Sequence, residues 1–181
     1  DVGTGDANPV FPGLAGSAVT SMTADRDGNL WAAVVGKLQR LRPNGEIELV
    51  DTLPLLEQPW LHTLFEDSNG DLWLGDQRES LIRVSDNAVH VLGRERGLRD
   101  ELLWSVLDDT SGGLWVGSNS GLQQWLPEGR FDAPLDVEGL SDPMIYSLFR
   151  DAKGTVWAGT GSGPAILQDG KLDIPASLRD I

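Results

Sequence analysis

Asp67-Ser68-Asn69-Gly70-Asp71-Leu72-Trp73 is one of four copies of a single phrase. The others are Asp25-Arg26-Asp27-Gly28-Asn29-Leu30-Trp31, Asp109-Thr110-Ser111-Gly112-Gly113-Leu114-Trp115 and Asp151-Ala152-Lys153-Gly154-Thr155-Val156-Trp157. The tryptophans fall at 31, 73, 115 and 157, a constant step of 42 residues. A fixed period of about 20 to 50 residues marks a repeat architecture, in which each unit buries its apolar faces against its neighbours.

Within the phrase, Asp-x-x-Gly predicts a tight turn. The aspartate bonds its own downstream backbone, and the glycine supplies a positive φ that other residues resist. An apolar-rich segment precedes each turn: Val19 to Ala24, Leu61 to Glu66, Leu103 to Asp108 and Ile145 to Arg150. A second segment follows it, at Leu30 to Val34, Leu72 to Gly75, Leu114 to Gly117 and Val156 to Gly159. Third and fourth short segments complete each repeat, and no helix of about ten residues is credible anywhere. Four short antiparallel strands per 42 residues predict an all-β chain, a β-propeller with four four-stranded blades. The expected divisions are a lead-in and first connector at 1–18, blades at 19–60, 61–102 and 103–144, and a last blade with its tail at 145–181. Met22, Leu64, Val106 and Leu148 form one expected apolar column, and the tryptophans form a second, wedged between adjacent blades.

Composition limits the function. The 181 residues carry 14 basic and 28 acidic side chains, a net charge of −14. That balance argues against nucleic-acid or anionic-membrane partners, which require basic patches. Cysteine is absent, which excludes disulfides, thiolate nucleophiles and cysteine metal sites. No apolar run approaches the ~18 residues of a membrane span. The chain opens at Asp1 without a signal-peptide pattern, which predicts a mature or trimmed piece of something longer.

The best copy of the repeat runs from Trp104-Ser105-Val106 through Asp109-Thr110-Ser111-Gly112-Gly113-Leu114-Trp115-Val116-Gly117 to Gly121-Leu122. With the recurring Gly75, Gly117 and Gly159, it resembles the two-component regulator propeller repeat over about residues 13 to 174. The resemblance implies an extracytoplasmic sensor module of a bacterial signalling protein, periplasmic or extracellular, several of which detect carbohydrates. It also implies seven blades, which at this period need about 290 residues. Four blades therefore predict a partial propeller or a ring closed by oligomerisation, ahead of a small closed four-bladed ring, since an unclosed propeller exposes two apolar blade faces. The first blade, Asp27-Gly28-Asn29-Leu30-Trp31 with Leu38 to Ile47, is more weakly similar to streptogramin lyase propellers. Those enzymes use a histidine base and a metal ion.

Ligands enter a propeller at the channel mouth, and the repeat locates that mouth by subtraction. One residue into each inner strand stand Thr20, His62, Trp104 and Tyr146, a column that varies among hydroxyl, imidazole, indole and phenol. The next column, Ser21, Thr63, Ser105 and Ser147, is small and uniform, as packing demands. Flat rings with polar tips suit a saccharide-like or aromatic small molecule. Adjoining loops add Trp60, Asp76, Arg78, Arg99 and Asn119 as candidate ligand contacts.

Catalysis has less support. His62 and His90 are the only histidines, and no carboxylate partner can be assigned to His62 by sequence. Asp25, Asp27 and Asn29 imitate the opening of a calcium loop, but the glycine falls in the fourth place instead of the sixth. The expectation is a non-catalytic sensor module without metal or cofactor, with a metal-assisted lyase and a protein-interaction scaffold as rivals.

Overall fold

The computed structural model describes residues 18–34, 37–50, 61–76, 80–85, 88–99, 102–135, 140 and 142–175. They form four separate four-stranded antiparallel sheets, each running in simple meander order. The first blade holds β1 (Val19–Ala24), β2 (Leu30–Val34), β3 (Lys37–Leu41) and β4 (Ile47–Val50). The second holds β5 (Leu61–Glu66), β6 (Leu72–Asp76), β7 (Leu81–Ser85) and β8 (Ala88–Leu92). The third holds β9 (Leu103–Asp108), β10 (Leu114–Ser118), β11 (Gly121–Leu126) and β12 (Arg130–Phe131). The fourth holds β13 (Ile145–Arg150), β14 (Val156–Thr160), β15 (Gly163–Gln168) and β16 (Lys171–Asp173). The inner strands β1, β5, β9 and β13 lie side by side in that order. This is the arrangement of a partial β-propeller of four successive blades.

The six-residue spacing from aspartate to tryptophan has a direct cause. In the second blade, Asp67 Oδ1 accepts the backbone N–H groups of Asn69 and Asp71 at 2.8 and 3.0 Å. Its Oδ2 accepts the Trp73 indole N–H at 2.8 Å. One carboxylate thus closes the turn and aims the indole. Asp25 does the same for Asn29 and Trp31, and Asp151 for Thr155 and Trp157. Gly70 takes a φ of 91° at the corner, in the left-handed region. These bonds occupy both carboxylate oxygens of Asp25 and of Asp67, the first residues of the stretches that imitate a calcium loop.

The indoles of the first three blades face the following blade. Trp31 packs with Leu61, Leu64, Leu74 and Ile82 of the second blade. Trp73 packs with Leu103, Val106, Leu114 and Trp125 of the third. Trp115 packs with Ile145, Ala158 and Ala165 of the fourth. Burying an indole removes roughly 150–250 Å² from water, worth about 4–6 kcal/mol as an upper estimate. The guanidiniums of Arg40 and Arg83 lie over the Trp31 and Trp73 rings, 5.1 and 5.5 Å from their centroids.

Strand-interior glycines let the blades approach. A Cβ on Gly75 would stand 2.7 Å from Thr63 Cγ2 and 2.9 Å from Leu103 Cβ of the next blade. On Gly117 it would stand 2.7 Å from Ile145 Cγ2, again of the next blade. The small column is explained by the same contact. Thr63, Ser105 and Ser147 lie opposite these glycines, and Ser21 Oγ accepts the Leu64 N–H across the first junction at 3.1 Å.

The blades are also clasped at the turn end. Arg26 of the first blade donates its backbone N–H to Glu66 Oε2 at 2.7 Å, pairs with Oε1 at 3.1 Å, and reaches the Asp67 carbonyl at 2.9 Å. Arg150 donates to the Asp108 carbonyl at 2.6 Å. Burial, with the nearby Asp67 charge, pushes the Asp108 carboxyl above its ordinary value despite a bond from the Ser68 N–H.

One expected column departs from the pattern. Leu64 and Val106 are buried and Leu148 is half-buried, but Met22 is exposed. Its neighbours in the pattern each face the blade before their own, and the first blade follows no described blade.

The glycine contacts predict that Gly75→Ala and Gly117→Ala each destabilise the fold by about 1–3 kcal/mol, through overpacking against the neighbouring inner strand. Gly159→Ala, which would meet only Ser147, costs much less. Urea unfolding of the three variants measures the difference. The turn carboxylates predict an acid limit. Burial pushes Asp25 up, but bonds from the Asn29 side chain, the Trp31 indole and two backbone N–H groups hold it below its ordinary value. The Trp157 indole bond leads in lowering Asp151. Because the folded values lie below the unfolded ones, this stabilisation is complete above about pH 5 and is lost as pH falls through the folded values. The urea midpoint should therefore drop on the acid side, and Asp25→Asn should shrink that drop.

Candidate functional site

The column of varied residues has a backbone cause that periodicity does not show. In every blade the pairing between the inner strand and its neighbour slips by one residue near the inner strand's start. The breaks lie between Val19 and Ser21, Leu61 and Thr63, and Ile145 and Ser147, and opposite Gly117 and Ser118 for Trp104. Thr20, His62, Trp104 and Tyr146 are the extra residues of these β-bulges. A bulge leaves one residue out of the ladder and re-aims its side chain.

Three of these side chains meet. The His62 and Trp104 ring centroids are 5.2 Å apart, with planes inclined at 41°. Trp104 and Tyr146 are 6.1 Å apart at 56°. Rings from three successive blades thus form one continuous aromatic strip along the ends of the inner strands. Tyr146, at the end of the strip, is 50% exposed, and His62 and Trp104 are half-buried. Asn119, in the tight turn from β10 to β11, accepts the Trp104 indole N–H through Oδ1 at 2.8 Å. That bond satisfies the indole N–H and fixes the central ring. Thr20 continues the column without a ring and donates its hydroxyl to the Ala33 carbonyl at 3.3 Å.

The other candidates lie differently. Arg99 is exposed on the segment before β9, and its backbone N–H is pinned by Gln123 Oε1 at 2.9 Å. Among the described residues, the guanidiniums that sit over rings are those of Arg40 and Arg83. Asp76 is fully buried as the last residue of β6, with Oδ1 accepting the Ser80 N–H at 3.1 Å. Ser118 and Thr160 hold the same position in their blades, and their hydroxyls accept the N–H groups of Ser120 and Ser162. Asp76 is thus a brace for its loop and presents no surface to a ligand at the strip. Trp60 and Arg78 lie outside the described residues. Asp142 reaches the same end of the fourth blade, where its backbone N–H donates to Ser162 Oγ at 2.9 Å.

Comparison with known proteins agrees with this architecture. The model of the two-component regulator propeller matches residues 13–36 and 139–162, so two of the four repeats carry that family's pattern. No curated protein matches the chain in sequence. Among solved structures, the extracellular domain of the proposed hybrid two-component system BT3049 from B. thetaiotaomicron is similar, with a TM-score of 0.70 and 18% identity over 83% of this chain and 22% of that one. Virginiamycin B lyase from Staphylococcus aureus, solved with quinupristin as the inactive H270A form, gives a TM-score of 0.72 and 17% identity over 89% of this chain and 57% of that one. PorZ, a surface component of the type-IX secretion system of Porphyromonas gingivalis, gives 0.67 and 17% over 86% and 27%. At these identities the likeness is one of fold. The chain spans about a fifth of the two-component ectodomain and a little over half of the lyase. No helix among the described residues is long and apolar enough to cross a membrane.

Proposed function

We propose that this chain supplies the ligand-facing mouth of a periplasmic or extracellular sensor propeller that binds a saccharide-like small molecule without transforming it. The observation that carries the reading is the strip His62–Trp104–Tyr146. Two ring-to-ring steps of 5.2 and 6.1 Å make a platform longer than one six-membered ring. Sugar rings present apolar C–H faces to such platforms and direct their hydroxyls at polar tips. Here the imidazole of His62 and the phenol of Tyr146 are such tips. The net charge of −14 favours a neutral ligand over an anionic one. The likeness to two-component ectodomains supports a sensing role. Binding would bridge three blades at once, so it would bias how neighbouring blades pack and pass the event to an output domain elsewhere.

Calorimetric titration against pools of neutral oligosaccharides tests this. One pool should bind, and Trp104→Ala and Tyr146→Ala should each weaken that binding about tenfold, near 1.4 kcal/mol. Silence across all pools, or unchanged binding in both variants, would count against the reading. Chelator-sensitive opening of a cyclic depsipeptide would replace it with a lyase, and a protein partner that shields the strip would replace it with a scaffold.

A further inference from the structure

The aromatic strip changes its polar support between the third blade and the fourth. In the third blade Leu103 pairs with Ser118, Trp104 is the bulged residue, and Asn119 follows Ser118 into the turn. In the fourth blade Ile145 pairs with Thr160, Tyr146 is the bulged residue, and Gly161 follows Thr160. The two arrangements are in register, 42 residues apart. Asn119 reaches from its place to the indole N–H of Trp104. Gly161 has no side chain to send towards Tyr146.

A different residue takes up that place. A Cβ on Gly161 would collide with Oδ2, Cγ and Cβ of Asp142. The Asp142 carboxylate therefore lies where the Asn119 side chain begins in the third blade, on the side of the bulged ring. Its position is set by short bonds. Oδ1 accepts the Met144 N–H at 3.0 Å, and the Asp142 N–H donates to Ser162 Oγ at 2.9 Å. The Gly161 N–H donates to the Met144 carbonyl at 3.2 Å, which ties the turn to the same segment. Among the described residues, Met144 supplies the hydrogen bond to this carboxylate. Oδ2 lies over Gly161, which is exposed, on the blade whose phenol is 50% exposed.

An ionised carboxylate only accepts hydrogen bonds, so a group that meets Oδ2 must donate one. Acceptance by a charged oxygen is stronger than by a neutral one. Two carboxylate oxygens match two hydroxyls on adjacent carbons. We propose that Asp142 is a specificity-determining residue of the strip, accepting two adjacent hydroxyls of a neutral sugar unit that lies against Tyr146. The proposal rests on the reading of the strip as a saccharide platform and adds which end of it selects by hydrogen bonds. Aromatic faces tolerate many sugar configurations, whereas a fixed pair of acceptors demands hydroxyls at a matched spacing. The missing side chain at Gly161 is what leaves room for the carboxylate.

Tryptophan-fluorescence titration of the full chain with cello-, manno- and galacto-oligosaccharides tests it, with Tyr146→Ala marking the strip. For the saccharide that binds, Asp142→Asn should weaken binding at least about tenfold. Gly161→Asn, which puts a side chain in the carboxylate's place, should weaken it by a like factor. Thermal midpoints should show both variants folded. Hydroxyl selectivity is the readout that a merely structural role would not move. Removing one hydroxyl of the recognised pair from the saccharide should weaken binding to the parent chain and barely alter binding to Asp142→Asn. Binding that Tyr146→Ala weakens but Asp142→Asn leaves unchanged would overturn this proposal and leave the saccharide platform standing. A loss in Asp142→Asn with hydroxyl selectivity unchanged would do the same. Silence towards every oligosaccharide would overturn both.

Discussion

The architecture depends on one carboxylate per turn reaching an indole six residues further on. In blades one, two and four the aspartate accepts backbone N–H groups with one oxygen and the indole N–H with the other. A tryptophan wedge buried between sheets carries a polar N–H that must be satisfied, and leaving such a group unpaired costs about 1–3 kcal/mol. The turn supplies the acceptor at the place where the strand must reverse anyway. Turn geometry, strand register and wedge orientation are therefore coupled, and the 42-residue period follows from repeating that coupled unit.

Much of this was readable because the coupled unit leaves a contiguous signature. Asp-x-x-Gly-x-Leu-Trp names the turn, the second strand and the wedge in seven residues, and the inner strands could be bounded from it by counting backwards. What stayed hidden joins residues far apart with no shared motif. The clasp of Arg26 on Glu66 spans 40 residues and occurs at one junction. Met22 belongs by sequence to a buried column, yet burial there depends on a preceding blade and not on the residue itself. Periodicity reports which face a side chain takes, not whether a neighbour covers it.

The strip of rings was half legible for a similar reason. A column that varies while its neighbours stay small drew attention to His62, Trp104 and Tyr146, and Asn119 lay on an adjoining loop. The bulge that turns them out of the ladder has no residue signature, because the extra residue is identified only by strand pairing. Asp76 shows the opposite failure. Its charge set it apart from Ser118 and Thr160, but all three do the same work at the end of the second strand, accepting a loop N–H. A departure in residue type is not a departure in role when a carboxylate and a hydroxyl offer the same lone pair.

The bulges have a bearing on how such a molecule can change over generations. The displaced residue contributes no ladder bond to its blade, and pairing resumes beyond it with the register moved by one. Imidazole, indole, phenol and a plain hydroxyl already occupy this place in four sheets of otherwise like build. The side-chain chemistry at this end of the blades can thus drift one blade at a time, by single substitutions at a seat the ladder leaves free.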